Sequence, residues 1–499
     1  MNTVELWKKY EEKMFVISSY ELVLSTTNFD GDTIAPVKGA DYRNDRLAYL
    51  YGEVFSLQTD PELLDLLEQL NKAEDLDDVK KRIVKWHLDD FNKMRFIPKE
   101  LYVEYSQVQL EANVVWKKAK TENNYKMFEP YLFKLIELTK KLLEYRHTDL
   151  KGYDILLDDF EPGMTVEKYD KFFDLIKERL VPLIKKIGQA EKIDTEFVYD
   201  YYPVDQQRKM MKEILDYMHY DFEAGVLAET EHPFSNAISK YDSRITTHYY
   251  DHNLMSSIFS VVHEAGHATY NNQIRDDLAE TFVFDNISSG MHESQSRLME
   301  NYLARTGAFW DNLFPKMKEL FPEQLKDVDQ EKFVRAANAS ECSLIRTDAD
   351  ELTYPLHILI RYEMEKGIFD SSIDLNDLEN IWNDKYEEYL GIRPARSGEG
   401  ILQDVHWAGG MFGYFPTYAL GSGYAAQFMH AMRKDIDVDK LMHDNQFMVI
   451  KDWLREHIHQ YGGLYLPEEQ IKIATGEPFD PEYYVDYLTE KYSALYNIK

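Results

Sequence analysis

The sequence has almost no cysteine. Cys342 is the single cysteine among 499 residues, so the chain cannot form an intrachain disulfide and fits a reducing compartment. Nothing in the sequence around Cys342 indicates an activated thiol. We therefore expect this residue to be a small buried apolar side chain rather than a nucleophile.

Basic residues are few compared with acidic ones. The chain contains 57 Lys and Arg residues against 89 Asp and Glu residues, which gives a formal net charge of −32 at pH 7. Nucleic acids and anionic membranes bind basic surfaces. The composition therefore argues against both as partners and is typical of a soluble, acidic surface.

Long apolar runs are also lacking. No stretch approaches the roughly 18 consecutive apolar residues of a membrane-spanning helix. No apolar segment of the secretory type follows Lys8 and Lys9 near the start of the sequence. We therefore expect a cytoplasmic protein without a membrane partner.

Helical periodicity is abundant, and it predicts a mainly α-helical fold. Several segments place apolar residues at i, i+3 and i+4 with charged residues opposite. They are Pro61–Asn71, Leu76–Phe91, Tyr131–Glu144, Val166–Ile187 and Gln206–His219. Without repeats or linkers, residues 1–499 are expected to form one domain of two lobes about a cleft. The N-terminal helical lobe covers roughly residues 1–200 and the functional part roughly residues 201–499.

One segment, from Glu231 to Tyr250, breaks the helical pattern. Its β-branched and aromatic residues predict a short strand or hairpin. Such a strand has two interpretations. It either pairs with the backbone of an extended peptide or serves only as a structural hairpin, and the sequence leaves both open.

The string His263-Glu264-Ala265-Gly266-His267 carries the strongest chemical signal. Residues four apart share one helix face, so His263 and His267 can bind one metal ion. Glu264 is rotated about 100° from His263, where it can act as a general base on water. This pattern predicts a zinc-dependent hydrolase. The pair Ala265-Gly266 discriminates nothing at this level.

A catalytic zinc site needs a third protein ligand. The metzincin class is excluded, because its Gly and third His positions are Tyr270 and Gln273 here. The alternative is a carboxylate on a following helix. Glu293 has the best spacing, 26 residues beyond His267, but Glu280 and Glu300 remain open.

Six ordered motifs together resemble the carboxypeptidase Taq family of metallocarboxypeptidases. The motifs are His232-Pro233-Phe234, Asp242-Ser243-Arg244-Ile245-Thr246, the His263–His267 string, Gly290-Met291-His292-Glu293-Ser294-Gln295-Ser296, Ile345-Arg346-Thr347-Asp348-Ala349-Asp350 and Gly400-Ile401-Leu402-Gln403-Asp404-Val405-His406-Trp407. The resemblance covers essentially the whole chain. It implies Glu293 as the third ligand, a mostly helical fold with a deep central groove, and a homodimer.

The resemblance also implies roles for residues far from the metal string. It points to His406 as one donor to the oxyanion and to a nearby tyrosine as another. We choose Tyr418 and keep Tyr414 as the fallback. A planar guanidinium matches the terminal carboxylate of a peptide, so Arg346 and Arg244 are substrate-binding candidates.

Two further groups of motif residues receive a prediction. His232 is assigned to substrate binding. Asp350, Gln403 and Asp404 are candidates for orienting the imidazoles that bind the metal.

The sequence as a whole therefore predicts a metal-dependent carboxypeptidase of broad specificity that acts on peptides. One divalent ion is expected per chain, zinc by default, with cobalt or manganese as alternatives. The nearest rival is an oligopeptidase or dipeptidyl carboxypeptidase of related helical fold. A remote rival is a non-catalytic binding protein with a vestigial metal site, against which the retained Glu264 argues.

Overall fold

The computed structural model describes residues 1–498, which form 22 α-helices and three β-strands. The mainly α-helical fold with a small sheet, predicted from the sequence, is confirmed. The helices are α1 (Thr3–Thr33), α2 (Ala40–Gln58), α3 (Pro61–Asn71), α4 (Asp78–Met94), α5 (Lys99–Thr121), α6 (Tyr125–Leu143), α7 (Tyr153–Phe160), α8 (Val166–Ile187), α9 (Val204–Tyr217), α10 (Leu254–Gln273), α11 (Phe282–Asp285), α12 (Ser289–Arg297), α13 (Gly307–Trp310), α14 (Phe314–Leu320), α15 (Gln330–Ala337), α16 (Tyr354–Asp370), α17 (Leu378–Leu390), α18 (Phe415–Asp435), α19 (Val438–His443), α20 (Phe447–His457), α21 (Pro467–Thr475) and α22 (Glu482–Tyr496). The strands are β1 (Leu227–Glu229), β2 (Ser235–Ser239) and β3 (Asp242–Thr247).

Helices α3 and α8 have the bounds that the sequence predicts. The Asp60 carboxylate accepts the Glu62 N–H at 2.9 Å, and the Thr165 hydroxyl accepts the Lys168 N–H at 3.4 Å. These caps satisfy first-turn N–H groups that have no partner inside the helix. The start of each helix is therefore encoded locally.

The other three predicted helices differ at their ends by up to six residues. The largest difference is in α6, which begins at Tyr125 rather than Tyr131. Tyr125 and Phe128 are buried in the core, and this packing extends the helix beyond the segment with clear periodicity. Tertiary contacts thus set ends that local periodicity leaves undefined.

Besides a small cluster between α1 and α2, the buried apolar side chains form two separate hydrophobic cores. The smaller core joins α1, α3 and α4 with residues 274–284 and Leu464. The larger core contains most other helices, including α10, α12, α16 and α18. Helix α10 packs in the larger core and leads at Ile274 into the smaller one, so it lies at their junction.

The sheet lies between α10 and α1, in the strand order β1–β3–β2. Strand β3 is parallel to β1 and antiparallel to β2. On one face the Thr247 hydroxyl lies 3.0 Å from that of Ser260 in α10. On the other face the rings of Phe29 in α1 and Phe234 are 5.8 Å apart. The strand or hairpin predicted before the metal-binding string is therefore confirmed.

Strand β2 has a free edge. The Phe234 carbonyl accepts the Thr246 N–H at 2.9 Å, and hydrogen-bonded pairs alternate along an antiparallel ladder. Ser235, the next residue, therefore points its N–H and C=O away from β3. Within residues 1–498 no backbone hydrogen bond reaches this Ser235 edge.

Two expectations from composition can also be compared with the structure. Cys342 is a half-buried free thiol, and burial raises its pKa to about 11, so it stays protonated and poorly nucleophilic. Across residues 1–498, every helix is too short or too polar to cross a membrane.

Candidate metal centre and substrate site

Helix α10 presents the metal-binding string. The Asn253 side chain caps the helix by accepting the Ser256 N–H at 3.3 Å. Leu254, Ile258 and Val262 are buried and hold the helix in the core. This packing leaves the other helix face for the imidazoles of the string.

His263, His267 and Glu293 come together as one donor set. Their ligand atoms all lie within 4.8 Å of one another. Glu293 Oε2 lies 3.7 Å from His263 Nε2 and 3.6 Å from His267 Nε2. Ligand atoms of a tetrahedral site with bonds of about 2.0–2.1 Å are about 3.4 Å apart. The three side chains therefore fit a divalent metal ion.

The two alternative third ligands are placed elsewhere. Glu280 is exposed on the surface. Glu300 lies behind the donor set, where its Oε2 is 2.9 Å from His263 Nδ1. A carboxylate in this position orients the imidazole and leaves Nε2 for the metal.

Arg297, the last residue of α12, links Glu293 in that helix to Glu300 just beyond it. Its Nε donates to Glu293 Oε1 at 2.7 Å, and its Nη1 donates to Glu300 Oε2 at 3.1 Å. Burial alone would raise the pKa of Glu293, but Arg297 and the two histidines outweigh burial and hold that pKa far below its usual value. Glu293 is therefore ionised and available as a ligand. The spacing i, i+4, i+7 was a signal for this cluster that sequence reasoning missed.

The glycine of the metal-binding string is needed for helix packing. A Cβ atom on Gly266 would lie 2.7 Å from the Gln295 carbonyl oxygen and 2.7 Å from Ser296 Cα. Both are backbone atoms of α12, which carries Glu293. The pair Ala265-Gly266 discriminates nothing in the sequence, but in the structure Gly266 has a packing role, because its missing side chain lets α12 approach α10.

Replacement of Gly266 by Ala is expected to destabilise the protein by about 1–3 kcal/mol, because overpacking displaces α12. Gly52→Ala is the matched control. Gly52 also lies within a helix, but nothing is within 4 Å of its added Cβ. The control should raise stability by up to about 1 kcal/mol, as Ala does in helix interiors. Thermal melting of both variants measures the difference, and equal shifts would contradict this role of Gly266.

A buried carboxylate holds the start of α12. Glu161 accepts the Gly290 N–H at 2.7 Å and the Ser288 hydroxyl at 3.1 Å. The Tyr424 hydroxyl donates to it as well, at 3.1 Å. Burial raises the pKa of Glu161 to about 7. Its three donors come from segments distant in sequence, so no local pattern indicated it.

Glu264 is 7% exposed and lies on α10 between the two histidines. Burial raises the pKa of its carboxyl group above the usual value, against the opposing effect of His263 and His267. Ser235 of β2 is near enough to lower that pKa slightly through hydrogen bonding. The general-base candidate is thus adjacent to the free edge of the sheet.

Arg346 belongs to a buried cluster around Asp404. Its Nε donates to Asp404 Oδ1 at 2.9 Å, and Arg361 donates to Asp404 Oδ2 through Nε at 2.7 Å. Two guanidinium groups against one carboxylate leave one positive charge. Arg361 was not among the residues predicted from the sequence. Its position as a charged residue within the apolar run of α16 could have indicated a buried ion pair.

The prediction that Asp350, Gln403 or Asp404 orients a metal-binding imidazole is wrong. Asp404 binds the two arginines, and Gln403 Oε1 accepts the Arg346 N–H at 2.9 Å. Asp350 binds backbone N–H groups near Thr353. Among the described residues none of these three side chains hydrogen-bonds to His263 or His267, whereas Glu300 contacts His263 Nδ1.

His406, Tyr418 and Tyr414 lie next to this cluster. His406 Nε2 is 3.2 Å from the Tyr418 hydroxyl, and the guanidinium of Arg346 is 5.1 Å from the Tyr418 ring centre. The rings of Tyr414 and Tyr418 are 5.1 Å apart. Burial lowers the pKa of His406 to about 3, and the nearby arginines add to the shift. His406 is therefore neutral and can serve as a hydrogen-bond donor.

The structure does not join Arg244 and His232 to this group. Arg244 binds Asp242 through Nε and Nη2, both at 2.8 Å, and its guanidinium lies 5.2 Å from the Phe29 ring centre. His232 is exposed just before β2. Among residues 1–498, no hydrogen bond or ion pair links either residue to the metal-binding side chains or to His406.

The chain is similar to known metallopeptidases over most of its length. The family model for carboxypeptidase Taq (M32) metallopeptidase matches residues 9–492. Carboxypeptidase 1 of Bacillus subtilis is 41% identical over 494 residues, covering 98% of this chain and 99% of the relative. Thermostable carboxypeptidase 1 of Thermus thermophilus is 38% identical, with 94% of both chains covered.

Solved structures agree with these relatives. The M32 carboxypeptidase from Deinococcus radiodurans R1 superimposes with a TM-score of 0.96 at 31% identity, over 99% of this chain and 100% of that chain. Pyrococcus furiosus carboxypeptidase superimposes with a TM-score of 0.94 at 34% identity, over 99% of both chains. The similarity therefore spans the whole fold.

Proposed function

Because the chain belongs to the carboxypeptidase Taq (M32) metallopeptidase family, we propose that its metal-dependent carboxypeptidase activity uses the donor set His263, His267 and Glu293. The single observation that carries this proposal is the approach of the three ligand atoms to within 4.8 Å. Peptides are the substrate, and the enzyme removes residues from the free C-terminal end.

The metal proposed for this site is zinc, one ion per chain. Two imidazoles and one carboxylate are a usual set for catalytic zinc, although cobalt and manganese accept the same donors. When bound, the metal activates water and polarises the scissile carbonyl. Glu300 and Arg297 would hold the donor set in place through the contacts described above.

Glu264 is proposed as the general base. Its carboxylate takes a proton from the attacking water and gives that proton to the leaving nitrogen. Burial of Glu264 raises its pKa, which brings it closer to a value suited to both steps. The side chain of Ser235 is near enough to hydrogen-bond to the Glu264 carboxyl group and helps to hold it in place.

Tyr418 and His406 are proposed as donors to the developing oxyanion. Both groups are neutral, since burial raises the pKa of Tyr418 well above its usual value and lowers that of His406. The 3.2 Å contact between them places two hydrogen-bonding groups together. Tyr414 remains the fallback for Tyr418.

Arg346 is proposed to bind the terminal carboxylate of the substrate. The cluster of Arg346, Arg361 and Asp404 carries one net positive charge in a buried environment, where an anion is attracted strongly. Within residues 1–498, hydrogen bonds account for Nε and Nη1 of Arg346 but not for Nη2. Arg244 and His232 are kept as substrate-binding proposals on the resemblance of their motifs alone.

The free edge of β2 is proposed to bind the substrate backbone. Both faces of the sheet are covered, while Ser235 directs its backbone groups outward beside Glu264. An extended peptide adding to this edge is recognised through its main chain, independently of most side chains. This arrangement supports broad specificity.

Recognition of the terminal carboxylate is tested with a free-acid peptide and its C-terminally amidated twin. Arg346→Ala is expected to lower kcat/KM for the free acid by roughly 30-fold or more, as loss of a buried charge contact does. The amidated peptide should be a poor substrate for the wild type and be affected much less by the substitution. Arg46→Ala is the control, since Arg46 is on the surface beside Asp45.

Liquid chromatography with mass detection of the released residues gives both rates. Cleavage of the two peptides at equal rates by the wild type would contradict carboxylate recognition. It would favour the rival oligopeptidase or dipeptidyl carboxypeptidase activity. An equal loss on both peptides in Arg346→Ala would make Arg346 a structural residue.

Three broader features are also proposed. The chain forms a single domain, which the absence of linkers in the sequence supports. Roughly residues 1–200 form a helical lobe, and roughly residues 201–499 form the part with the metal site and the substrate groove. A cytoplasmic location is supported by the single cysteine and the acidic surface. A homodimer is proposed from the family resemblance.

A further inference from the structure

The segment from residue 402 to residue 413, here called the 402–413 loop, carries both Asp404 and His406. It forms neither a helix nor a strand. The carbonyl groups of Val405, His406 and Trp407 accept N–H groups of the loop itself, but the other carbonyl groups lack the partners that regular structure supplies. A buried carbonyl without a donor costs about as much as a lost hydrogen bond, so the loop needs donors from elsewhere.

Helix α5 supplies these donors from five side chains. Each side chain donates to one backbone carbonyl oxygen of the loop. The pairs are Tyr105 to Gly410 (3.2 Å), Gln109 to Gly409 (2.7 Å), Asn113 to Ala408 (3.2 Å), Trp116 to Leu402 (3.0 Å) and Lys120 to Gln403 (2.8 Å). We call these five residues the donor stripe.

The spacing of the donor stripe shows that it is a single face of α5. Its members follow one another at intervals of four, four, three and four residues, which is the helical repeat. The loop approaches this face closely. A Cβ on Gly410, whose φ is +68°, would lie 2.1 Å from the Tyr105 hydroxyl oxygen, so the contact requires glycine.

Helix α16 holds the loop through two side chains, those of Arg361 and Glu365. Arg361 binds Asp404, and one helical turn later Glu365 accepts the Trp407 indole N–H and the Gly413 N–H, both at 2.7 Å. The loop is thus held by α5 and α16 together. Among residues 1–498 the His406 side chain makes no bond to either helix, and its Nε2 lies 3.2 Å from Tyr418.

We propose that the donor stripe of α5 is a positioning device for His406. Asn113 and Gln109 donate to the carbonyl groups of Ala408 and Gly409, the second and third residues after His406. These two bonds set the position of His406 against Tyr418. This proposal rests on the proposed function, in which His406 donates to the oxyanion. It also makes α5, from the N-terminal part of the chain, necessary for a catalytic group that lies about 300 residues later.

Gln109→Met tests the positioning role, since methionine keeps the length of the side chain and loses the donor. Gln109→Glu places a carboxylate against the Gly409 carbonyl. Gln107→Met and Gln107→Glu are the matched controls, because Gln107 is exposed on the same helix. Rates on a free-acid peptide, metal content and melting temperature are measured for all four, together with His406→Gln.

The expected result is a fall in kcat of about 10-fold in Gln109→Met and a larger fall in Gln109→Glu, with KM changed less than about 2-fold. This size is consistent with a displacement well below 1 Å, since about 1 Å can cost 10²-fold. A phosphinic peptide that mimics the tetrahedral intermediate should lose affinity in parallel with kcat. Metal content should be unchanged, and both Gln107 variants should match the wild type.

Three results would overturn the proposal. If the Gln109 variants have a normal kcat while His406→Gln is slow, the positioning role is refuted and the proposed function stays intact. Loss of metal or of stability in step with kcat would make Gln109 merely structural. A normal rate in His406→Gln would refute the role of His406 itself, and the positioning role with it.

Discussion

Glu264→Gln is expected to lower kcat by roughly 10²- to 10⁴-fold, which is the usual contribution of a general base. Glutamine has the same shape as glutamate but cannot take a proton from water. Glu264 is not one of the three donors that lie within 4.8 Å of one another. The variant should therefore bind metal as the wild type does.

The measurement combines steady-state rates on a free-acid peptide with metal analysis of the dialysed protein. Glu280→Gln is the matched control, because Glu280 is exposed and carries the same chemical change. A turnover number for Glu264→Gln near that of the control would show that another group accepts the proton. Loss of metal in Glu264→Gln would instead make Glu264 part of the metal site.

Glu293→Gln is expected to abolish activity through loss of the metal. The substitution removes the negative ligand and one of the two carboxylates that the buried Arg297 contacts, so stability should also fall. Glu300→Gln provides the contrast, since Glu300 orients His263 but is not one of the three donors. Its metal affinity should fall by about 10- to 100-fold, the usual effect of an orienting partner, and that of Glu293→Gln by more.

Metal content after dialysis against a graded chelator series measures both affinities and identifies the native metal of the wild type. Added metal should raise the melting temperature of the wild type and of Glu300→Gln, because ligand binding stabilises the folded state. It should have little effect on Glu293→Gln. Equal metal retention in the two variants would show that the third ligand is not Glu293.

Much of this protein could be predicted from its sequence, because interactions between residues close together in the chain determine it. The bounds of α3 and α8 followed from apolar periodicity, and caps adjacent to the first helical residue fix their starts. His263, Glu264 and His267 are adjacent on one helix, so their geometry depends only on the helical repeat. The strand before α10 was likewise visible in its β-branched residues.

The proposed third ligand, Glu293, could not be identified from local interactions alone. Spacing favoured Glu293, but Glu300 is only seven residues further along the chain, so spacing alone left it open. The return of α12 against α10 places Glu293 beside Nε2 of both histidines, and that return depends on the missing side chain of Gly266. In the sequence that glycine looked uninformative.

The sequence by itself thus determined the class of fold, the metal-binding string and, through the family motifs, the type of reaction. The tertiary structure decided which side chains support that chemistry: Glu300 behind His263, Arg361 beside Asp404, and the donor stripe of α5 against the 402–413 loop. The physical reason is the separation along the chain of the residues that interact. A helix face is set by bonds over four residues, whereas a buried charge or an unpaired carbonyl is satisfied by whatever group folding brings within about 3 Å.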